Sequence, residues 1–379
     1  MVAKLKIGVA GLGRAFSAML PTFARDPRIT LVAAADPRAE ARRQFETDFQ
    51  ARVYPEVADL CADPNVDVVY VATPHQFHAA HAIAALAAGK HALVEKPMAL
   101  SVEECERMIS ASRQTNRQLV VGHSHSFDAP ILLTKKIIDR GAFGRVRMIS
   151  ALDYTDFLYR PRRPEELDTA AGGGVFFNQA AHQVDILRLL AASPVKSVRA
   201  AAGAWDPARP TEGAYSALLT FADGAYASAV YSGYAHFDSD EFQGWIGEMG
   251  QKKDPDAYAI ARKTLSPDEI LQKNRRNYGG EEYRAATGAS HQHFGLFVVS
   301  CEKADLRPMP NGVMVYADAE QRLEKLAAPQ VPRAEVIDEL YGAVMQGRAP
   351  LHGGEWAMAT LQVCLAMLDS ARGGREVFL

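Results

Sequence analysis

A strand–glycine turn–helix pattern near the N-terminus constrains the fold of this chain more than any other feature. Leu5–Ala10 is a short apolar run, typical of a buried parallel strand, and Gly11, Gly13 and a helical pattern follow it. A second apolar run at 29–35 stops at Asp36. Gly11 allows the tight turn, and Gly13 lets the backbone approach a pyrophosphate at the start of the helix. The pattern predicts a dinucleotide site; an ordinary glycine-rich turn is the alternative.

The acid that ends the second run bears on the choice of cofactor. Asp36 can accept hydrogen bonds from the ribose hydroxyls of adenosine, and its charge would oppose a 2′-phosphate, so NAD is favoured. Arg38 could bind such a phosphate, which keeps NADP open. Phe16 stands at the third glycine position, so helix–strand packing must differ there. The cofactor contacts predicted in this region are Gly11, Leu12, Gly13, Arg14, Ala15, Phe16, Asp36 and Arg38.

Length, charge and cysteine usage restrict the class of protein. A chain of 379 residues with 48% hydrophobic residues is long enough for two cored domains. The net charge of −3 gives no reason to expect a nucleic acid or an anionic membrane as partner. No apolar run is long enough to span a bilayer, and no signal peptide is visible. The four cysteines are isolated, which is typical of reduced thiols, so we expect a cytoplasmic protein.

A change of pattern after Gly122 predicts two domains. Residues 1–122 alternate strands with helices, which predicts an α/β Rossmann domain with a doubly wound parallel sheet. Residues 123–379 contain longer alternating strands, which predict an α+β domain with an open, mostly antiparallel sheet. Such a sheet, if one face is apolar, offers a surface for a homodimer or homotetramer. The charged stretch 235–290 is predicted to be an insertion, either a solvated excursion, a lid or an oligomer arm.

A polar turn follows the strand predicted at 67–72. Thr73, Pro74, His75 and His78 stand in this turn. Ligands gather at the carboxyl ends of parallel strands, so these residues are predicted to contact the nicotinamide half of a cofactor. A structural histidine bonded to backbone is an equally reasonable interpretation of His78.

A lysine follows the strand predicted at 91–94, in the run Glu95–Lys96–Pro97. A lysine desolvated beside a cofactor can lose its proton near neutral pH and act as a base, or donate a hydrogen bond to a substrate oxygen. Glu95 and Lys96 are therefore predicted at the cofactor, with Lys96 also at the substrate. A surface lysine before a helix-starting proline is the alternative.

The run Gly172–Gly174 precedes a helix predicted over 178–190. Asn178, His182 and Asp185 follow at spacings that share one helix face. A histidine placed there can take a proton from a hydroxyl, with an acid one turn further on to orient it. The alternative is a buried helix whose polar residues only face outward.

Taken together, these motifs resemble the Gfo/Idh/MocA family of oxidoreductases over nearly the whole chain. The resemblance implies a Rossmann domain, an open-sheet second domain, NAD(P), and hydride transfer at a carbinol carbon. It also implies that Lys96 is the main catalytic residue, assisted by His182 and by Asn178. Asn178 is a departure, because the family usually has Asp there, and an amide cannot carry a proton away.

Four runs of the chain are similar to the cis-dihydrodiol dehydrogenases within that family. They are 8–16, 74–78, 122–128 and 159–166. This likeness implies oxidation of an aromatic cis-dihydrodiol, with phthalate 4,5-cis-dihydrodiol converted to 4,5-dihydroxyphthalate as the expected reaction. Arg160, Arg162 and Arg163 suit the two carboxylates of that substrate, unless Glu165 and Glu166 simply pair with them.

Two histidine pairs, His123/His125 and His291/His293, invite a metal hypothesis. No carboxylate pattern completes a site, so we predict no metal and assign His123 and His125 to the substrate. The predicted substrate contacts are thus Lys96, His123, His125, Arg160, Arg162, Arg163, Asn178 and His182. A sugar or inositol dehydrogenase, and a non-catalytic dinucleotide-binding regulator, are the competing hypotheses.

Overall fold

A computed structural model describes residues 3–284 and 288–379. The chain forms two compact units. The first unit takes its residues from 1–123, 270–286 and 331–361, and the second from 124–269, 287–330 and 362–379. The first unit therefore extends beyond the boundary expected at Gly122, because two later segments pack onto it.

The described residues form two sheets with helices around them. The strands are β1 Leu5–Ala10, β2 Ile29–Ala35, β3 Arg52–Tyr54, β4 Val68–Val71, β5 His91–Val94, β6 Leu119–Val121, β7 Val146–Tyr154, β8 Val195–Gly203, β9 Ala214–Phe221, β10 Tyr226–Ser232, β11 Leu296–Cys301, β12 Ala304–Met309, β13 Gly312–Ala317, β14 Gln321–Lys325 and β15 Val377–Phe378. The helices are α1 Arg14–Arg25, α2 Ala39–Phe49, α3 Val57–Ala62, α4 His78–Ala87, α5 Val102–Thr115, α6 Ala129–Asp139, α7 Ala181–Ala191, α8 Ile260–Thr264, α9 Glu269–Arg276, α10 Ala334–Gln346 and α11 Gly354–Gly373.

The first sheet is parallel throughout and has the strand order β3-β2-β1-β4-β5-β6. Its central strands are fully buried because helices cover both faces, which explains their continuous apolar runs. The strand order reverses beside β1, and ligands bind at the carboxyl ends of the strands next to such a reversal. The predicted Rossmann domain is confirmed.

Two segments from late in the chain complete the first unit. In the segment 331–361, α10 buries Val336, Ile337 and Leu340, and the Val121 amide donates to the His352 carbonyl at 2.8 Å. In the segment 270–286, the Tyr278 side chain is only 1% exposed. Asn277 and Tyr278 of the expected insertion are therefore packed into the first unit, whereas α9 before them has no buried residue.

The second sheet has nine strands in the order β14-β13-β12-β11-β7-β10-β9-β8-β15. Its neighbours are antiparallel except for the parallel pair β7–β10, so the expected mostly antiparallel sheet is confirmed. Helices α6 and α7 pack on this sheet. Leu218 and Tyr226 remain exposed on it, at 47% and 46%.

The helix expected over 178–190 differs at its start. A π-helical turn, Phe176–Ala180, comes first, and the regular helix α7 begins only at Ala181. Asn178 therefore lies in a wider turn than His182, and the i, i+4 spacing does not by itself place them on one face. Turns of this kind are frequent at functional sites.

Among the described residues, no helix combines the length and the apolarity that a membrane crossing requires.

Candidate active site

The glycine turn after β1 has the geometry that the sequence predicts. Gly11 has φ +94°, and a Cβ there would lie 2.8 Å from the Ala72 carbonyl oxygen, so the position requires glycine. A Cβ on Gly13 would meet no heavy atom of the described residues within 4 Å. Gly13 also begins α1 without a side-chain cap. The open space lies at a helix start, where backbone N–H groups attract phosphate.

Asp36 ties the end of β2 to this turn. Its carboxylate is 5% exposed and accepts hydrogen bonds from the Leu12 amide at 2.7 Å and from the Arg38 amide at 2.9 Å. The Arg38 guanidinium binds the same carboxylate, with Nε 3.1 Å from Oδ1, and donates to the Leu12 carbonyl at 2.8 Å. An acid is thus held where the adenosine ribose binds in Rossmann domains, and the neighbouring cation is already engaged by it.

The aromatic residue at the third glycine position points away from the turn. The Phe16 ring is fully buried, 5.8 Å from the Phe45 ring and 5.2 Å from the Tyr278 ring. Only the backbone of Phe16 is therefore available to a cofactor. The sequence indicated that packing must differ here but could not identify Tyr278, which lies far along the chain.

The turn after β4 is joined to the turn after β5 by one histidine. His78 is fully buried, and its Nε2 and Nδ1 each lie 2.8 Å from a backbone carbonyl, those of Thr73 and Pro97. Burial lowers the pKa of His78. The Thr73 hydroxyl contacts His81 Nδ1 at 3.0 Å, and the His75 ring lies 5.5 Å from the His78 ring. This geometry favours the structural interpretation of His78, as a residue that positions both turns.

Lys96 lies at the same edge of the sheet as the glycine turn. The Ala72 amide donates to the Ala10 carbonyl at 2.8 Å, and the Glu95 amide to the Val71 carbonyl at 3.0 Å, so the strand ends are in register. Glu95 is buried and accepts a hydrogen bond from the Tyr70 hydroxyl at 2.5 Å, which fixes the backbone before Lys96. Lys96 itself is half-buried.

Cis peptide bonds follow two strands of the first sheet. They are Lys96–Pro97 after β5 and Gly122–His123 after β6. The His123 side chain is buried, at 3% exposed, in the same unit.

In the second unit, two histidines that the sequence placed in separate motifs lie together. The rings of His125 and His182 are 4.7 Å apart, and the Phe294 ring lies 5.0 Å from His182. The His125 amide donates to His182 Nδ1 at 3.4 Å, while His125 Nδ1 lies 2.6 Å from Asp128 Oδ2. An N–H donor on Nδ1 assigns the proton of neutral His182 to Nε2. His182 Nε2 is then a hydrogen-bond donor.

The other polar residues of the α7 region bind nearby groups. Asn178 Nδ2 donates to the Gly174 carbonyl at 2.9 Å. Asp185 accepts a hydrogen bond from the Ser126 hydroxyl at 2.5 Å and lies 3.9 Å from Arg188. A Cβ on Gly173 would lie 2.6 Å from the Glu166 carbonyl, so this glycine serves close packing against the preceding loop.

Residues 159–166 form the arginine loop, and its arginines have different partners. Arg160 binds Asp156 at 2.7 Å and Glu248 at 3.0 Å, and Arg163 binds Glu165 at 2.9 Å. For these two, protein acids already occupy the guanidinium groups that the sequence analysis offered to substrate carboxylates.

Arg162 differs from its neighbours in the arginine loop. Its guanidinium carbon lies 3.8 Å from the Phe157 ring centroid, and it donates to the Phe157 carbonyl at 2.6 Å. Within 3–284 and 288–379, no carboxylate forms an ion pair with it. Burial lowers the pKa of Arg162 to about 10, so the group is still a cation at neutral pH.

An aromatic row connects Arg162 with the histidines inside the second unit. Phe157 lies 6.5 Å from Tyr231, Tyr231 lies 6.2 Å from Phe294, and Phe294 lies 5.0 Å from His182, all between ring centroids. Tyr231 and Phe294 were not singled out from the sequence, because buried aromatic residues in strands and loops are ordinary core residues. The row thus places aromatic side chains between the cation of Arg162 and the ring of His182.

The histidine pair near residue 290 does not form a paired site. His291 Nε2 lies 2.8 Å from the Ala327 carbonyl, and His293 Nε2 lies 2.7 Å from the Ile246 carbonyl. Each is thus used to hold a backbone segment. The absence of a metal from the mechanism stays a prediction.

A parallel sheet with this strand order, a glycine cradle and an acid after β2 define a dinucleotide-binding domain. Residues 5–123 match the model of the oxidoreductase family with an NAD-binding Rossmann fold, and residues 131–249 match the GFO/IDH/MocA C-terminal domain. The chain belongs to the Gfo/Idh/MocA family and is an NAD-dependent dehydrogenase.

Individual relatives agree with this assignment. The chain is 50% identical to the 1-carboxy-3-chloro-3,4-dihydroxycyclohexa-1,5-diene dehydrogenase of Comamonas testosteroni, over 97% of this chain and 95% of that protein. A solved protein of Bordetella bronchiseptica RB50 superposes with a TM-score of 0.94 at 41% identity, covering 99% and 100% of the two chains. The WlbA dehydrogenase of Bordetella pertussis, solved with NADH and UDP-GlcNAcA, shares the fold at 24% identity, with a TM-score of 0.69 and 99% of both chains covered.

Proposed function

We propose that this dehydrogenase oxidises a carboxylated cis-dihydrodiol of a cyclohexadiene ring with NAD. The observation that carries the proposal is the 50% identity, over nearly the full length of both chains, to a dehydrogenase named for a carboxylated dihydroxycyclohexadiene. The second unit adds a physical reason, since Arg162 is a half-buried cation with no ion-pair partner among the described residues.

The number of available arginines favours a substrate with one carboxylate. Arg160 and Arg163 are bound to protein acids, whereas Arg162 can receive a substrate carboxylate through its free donors. Phthalate 4,5-cis-dihydrodiol, the expected substrate, carries two carboxylates. To bind both, Arg160 or Arg163 would have to exchange a protein carboxylate for one on the substrate. We therefore propose a dihydrodiol with a single carboxylate as the preferred substrate and the phthalate dihydrodiol as the second candidate.

The residues around the glycine turn fit NAD, because the Gly13 cradle is open and Asp36 is held at the end of β2. Gly11, Gly13 and the start of α1 would hold the pyrophosphate, and Asp36 the adenosine ribose. When bound, NAD supplies the acceptor for the hydride that leaves the carbinol carbon.

Lys96 is the proposed proton acceptor. Oxidation of one hydroxyl removes a proton from oxygen and a hydride from carbon. Lys96 stands at the carboxyl end of β5, where the nicotinamide half of the cofactor binds in Rossmann domains, and its neutral amine can take that proton. His182 Nε2, which bears a hydrogen in the neutral ring, donates a hydrogen bond to a substrate oxygen. The hydroxy-ketone that forms then tautomerises to an aromatic catechol, which makes the overall reaction strongly favourable.

The proposal is tested by following reduced-nicotinamide absorbance with purified protein and NAD⁺. The substrates are benzoate 3,4-cis-dihydrodiol, phthalate 4,5-cis-dihydrodiol and the cis-dihydrodiol of unsubstituted benzene, with inositols and aldoses as the polyol arm. We expect the highest kcat/KM with the benzoate dihydrodiol. A higher value with the phthalate dihydrodiol would reverse the order of the two substrates, and turnover only with polyols would refute the proposal.

We also propose self-association through the face of the second sheet that carries Leu218 and Tyr226. Both side chains are close to half exposed, although they belong to a nine-stranded sheet. Large exposed apolar surfaces on sheets mark interfaces. Analytical ultracentrifugation tests this, and Leu218→Lys should shift the protein to the monomer; a wild-type monomer would refute it.

A further inference from the structure

We propose that residues 277–280, the strap, set the preference of this enzyme for NAD over NADP by holding Arg38. The strap lies far from the glycine turn in sequence, but both belong to the first unit. The inference concerns cofactor choice and does not depend on the identity of the diol.

The strap is anchored to two helices, α1, which follows the glycine turn, and α2, which follows strand β2 and Asp36. The Tyr278 amide donates to the Ser17 hydroxyl at 3.2 Å, and that hydroxyl donates to the Gly13 carbonyl at 3.0 Å, which connects the strap with α1. The Tyr278 hydroxyl donates to Asp48 on α2 at 2.5 Å.

Gly279 brings the strap against the backbone of α2. It has φ +80°, and a Cβ there would lie 2.7 Å from the Ala41 Cα. A side chain at this position would therefore have to push the strap away from the helix, because backbone atoms cannot move aside as a side-chain tip can. Gly279 is the position at which the strap can be displaced by a single methyl group.

The strap completes a set of acceptors around Arg38. Arg38 Nε and one terminal nitrogen face Asp36 at 3.1 and 3.3 Å, and the same terminal nitrogen donates to the Leu12 carbonyl at 2.8 Å. The other terminal nitrogen donates to the Tyr278 carbonyl at 3.4 Å. All three guanidinium nitrogens thus bind groups of the protein.

This arrangement has a direct consequence for a 2′-phosphate. NADP differs from NAD by that phosphate, which sits on the ribose hydroxyl that an acid such as Asp36 binds, and an arginine nearby accommodates it. Asp36, the Leu12 carbonyl and the strap together hold Arg38, so the cation must give up protein acceptors before it can bind a phosphate. Removing the strap acceptor frees one side of the guanidinium for the phosphate.

The test compares Gly279→Ala with a matched control, Gly89→Ala. Gly89 has φ +77° and also lies in the first unit, but a Cβ there meets no described atom within 4 Å. Both variants carry the same backbone strain, and only Gly279→Ala displaces the strap. Binding of NAD⁺ and of NADP⁺ to each protein is measured by isothermal titration calorimetry without substrate.

We expect Gly279→Ala to lower the ratio of NAD to NADP affinity by about tenfold, the scale of one charge-assisted hydrogen bond, while Gly89→Ala leaves the ratio unchanged. An unchanged ratio in a folded Gly279→Ala protein, or an equal loss of both affinities, would overturn the proposal. If Gly279→Ala does not fold, Tyr278→Leu decides, because it removes both side-chain anchors of the strap, the hydrogen bond to Asp48 and the ring contact with Phe16: a lowered ratio supports the proposal and an unchanged one refutes it. Because these titrations contain no substrate, their outcome does not depend on whether the enzyme oxidises the proposed diol.

Discussion

The proposed cofactor site at the glycine turn of the first unit and the proposed carboxylate site in the arginine loop of the second use different parts of the chain. The turn uses backbone, with Gly11 in a left-handed conformation and an open cradle at Gly13. The arginine loop uses charged side chains whose roles depend on whether a protein acid reaches them, as Glu248 reaches Arg160. A backbone site is encoded locally in the chain, whereas a side-chain site is defined by partners from elsewhere in the sequence.

The largest effect is expected from a variant of Lys96, a side chain of the first unit that is proposed to act in the reaction itself. Lys96→Ala should lower turnover by about 10²–10⁴-fold, the usual value of a positioned acid–base group, while NAD⁺ affinity stays close to that of the wild type. Single-turnover kinetics and NAD⁺ titration measure the two quantities. His182→Gln, which keeps a donor, should cost less; a greater loss with His182→Gln would make His182 the base.

Within the glycine turn, alanine substitutions of Gly11 and Gly13 should differ in their effects on melting temperature and NAD⁺ affinity. Gly11→Ala combines a positive φ with a backbone clash near 2.8 Å, so it should lower both the melting temperature and NAD⁺ affinity. Gly13→Ala has free space around the new methyl group and should keep the melting temperature. It should nevertheless weaken NAD⁺ binding about tenfold or more, because the methyl group occupies the cradle, at a steric cost of about 1–3 kcal/mol. Unchanged NAD⁺ binding in Gly13→Ala would place the pyrophosphate elsewhere.

In the arginine loop, variants of Arg162 and Arg160 should have different effects, the first on substrate binding and the second on stability. Arg162→Gln should raise KM for a carboxylated diol about tenfold to a hundredfold with little change in melting temperature, because a charge-assisted hydrogen bond contributes about 1.5–3 kcal/mol. Arg160→Gln leaves Asp156 and Glu248 without their cation and should mainly lower the melting temperature. KM for the unsubstituted dihydrodiol is the control, and an equal rise there would contradict a carboxylate role.

The smallest effect is expected from pH. Because burial lowers the pKa of Arg162 to about 10, the charged form is complete at neutral pH and is lost as the pH rises through that value, earlier than for an ordinary arginine. KM for a carboxylated diol should be flat below this range and rise above it, up to about tenfold per pH unit. Parallel profiles for carboxylated and unsubstituted diols would show that Arg162 does not titrate against the substrate.

Local pattern was sufficient for much of the fold. The strands at Leu296–Cys301 and Ala214–Phe221 have the bounds that the sequence predicts, because apolar alternation is clear in both. Four strands were missed: Arg52–Tyr54, Ala304–Met309, Gln321–Lys325 and Val377–Phe378. Ala304–Met309 contains Pro308, which argues against a strand, and Gln321–Lys325 is almost entirely polar because it lies at the edge of its sheet.

The candidate site was predictable to the extent that its residues act through backbone or occur in short motifs. The turn at Gly11 and Asp36 was found because strand, turn and acid follow one another. The pairing of Arg163 with Glu165 was one of the alternatives that the sequence offered. The partners of Arg160 and of the Arg162 amide were not predictable, because Glu248 is 88 residues from Arg160 and Glu269 is 107 residues from Arg162. Nothing in a local pattern indicates which of several nearby acids will reach a given guanidinium.

The segment 331–361, which packs onto the first unit, affects how the chain can fold as it is made. The Thr22 hydroxyl, on helix α1 of the first unit, donates to the Pro332 carbonyl at 2.6 Å. Helix α1 therefore cannot make this contact until a residue 310 positions further along the chain has been synthesised. The ribosome must therefore synthesise nearly the whole polypeptide before the first unit can complete the packing of its core. Such long-range contacts slow folding and leave apolar surface exposed in the meantime. A nascent chain stalled before residue 331 should accordingly recruit chaperones even though its Rossmann strands have all emerged.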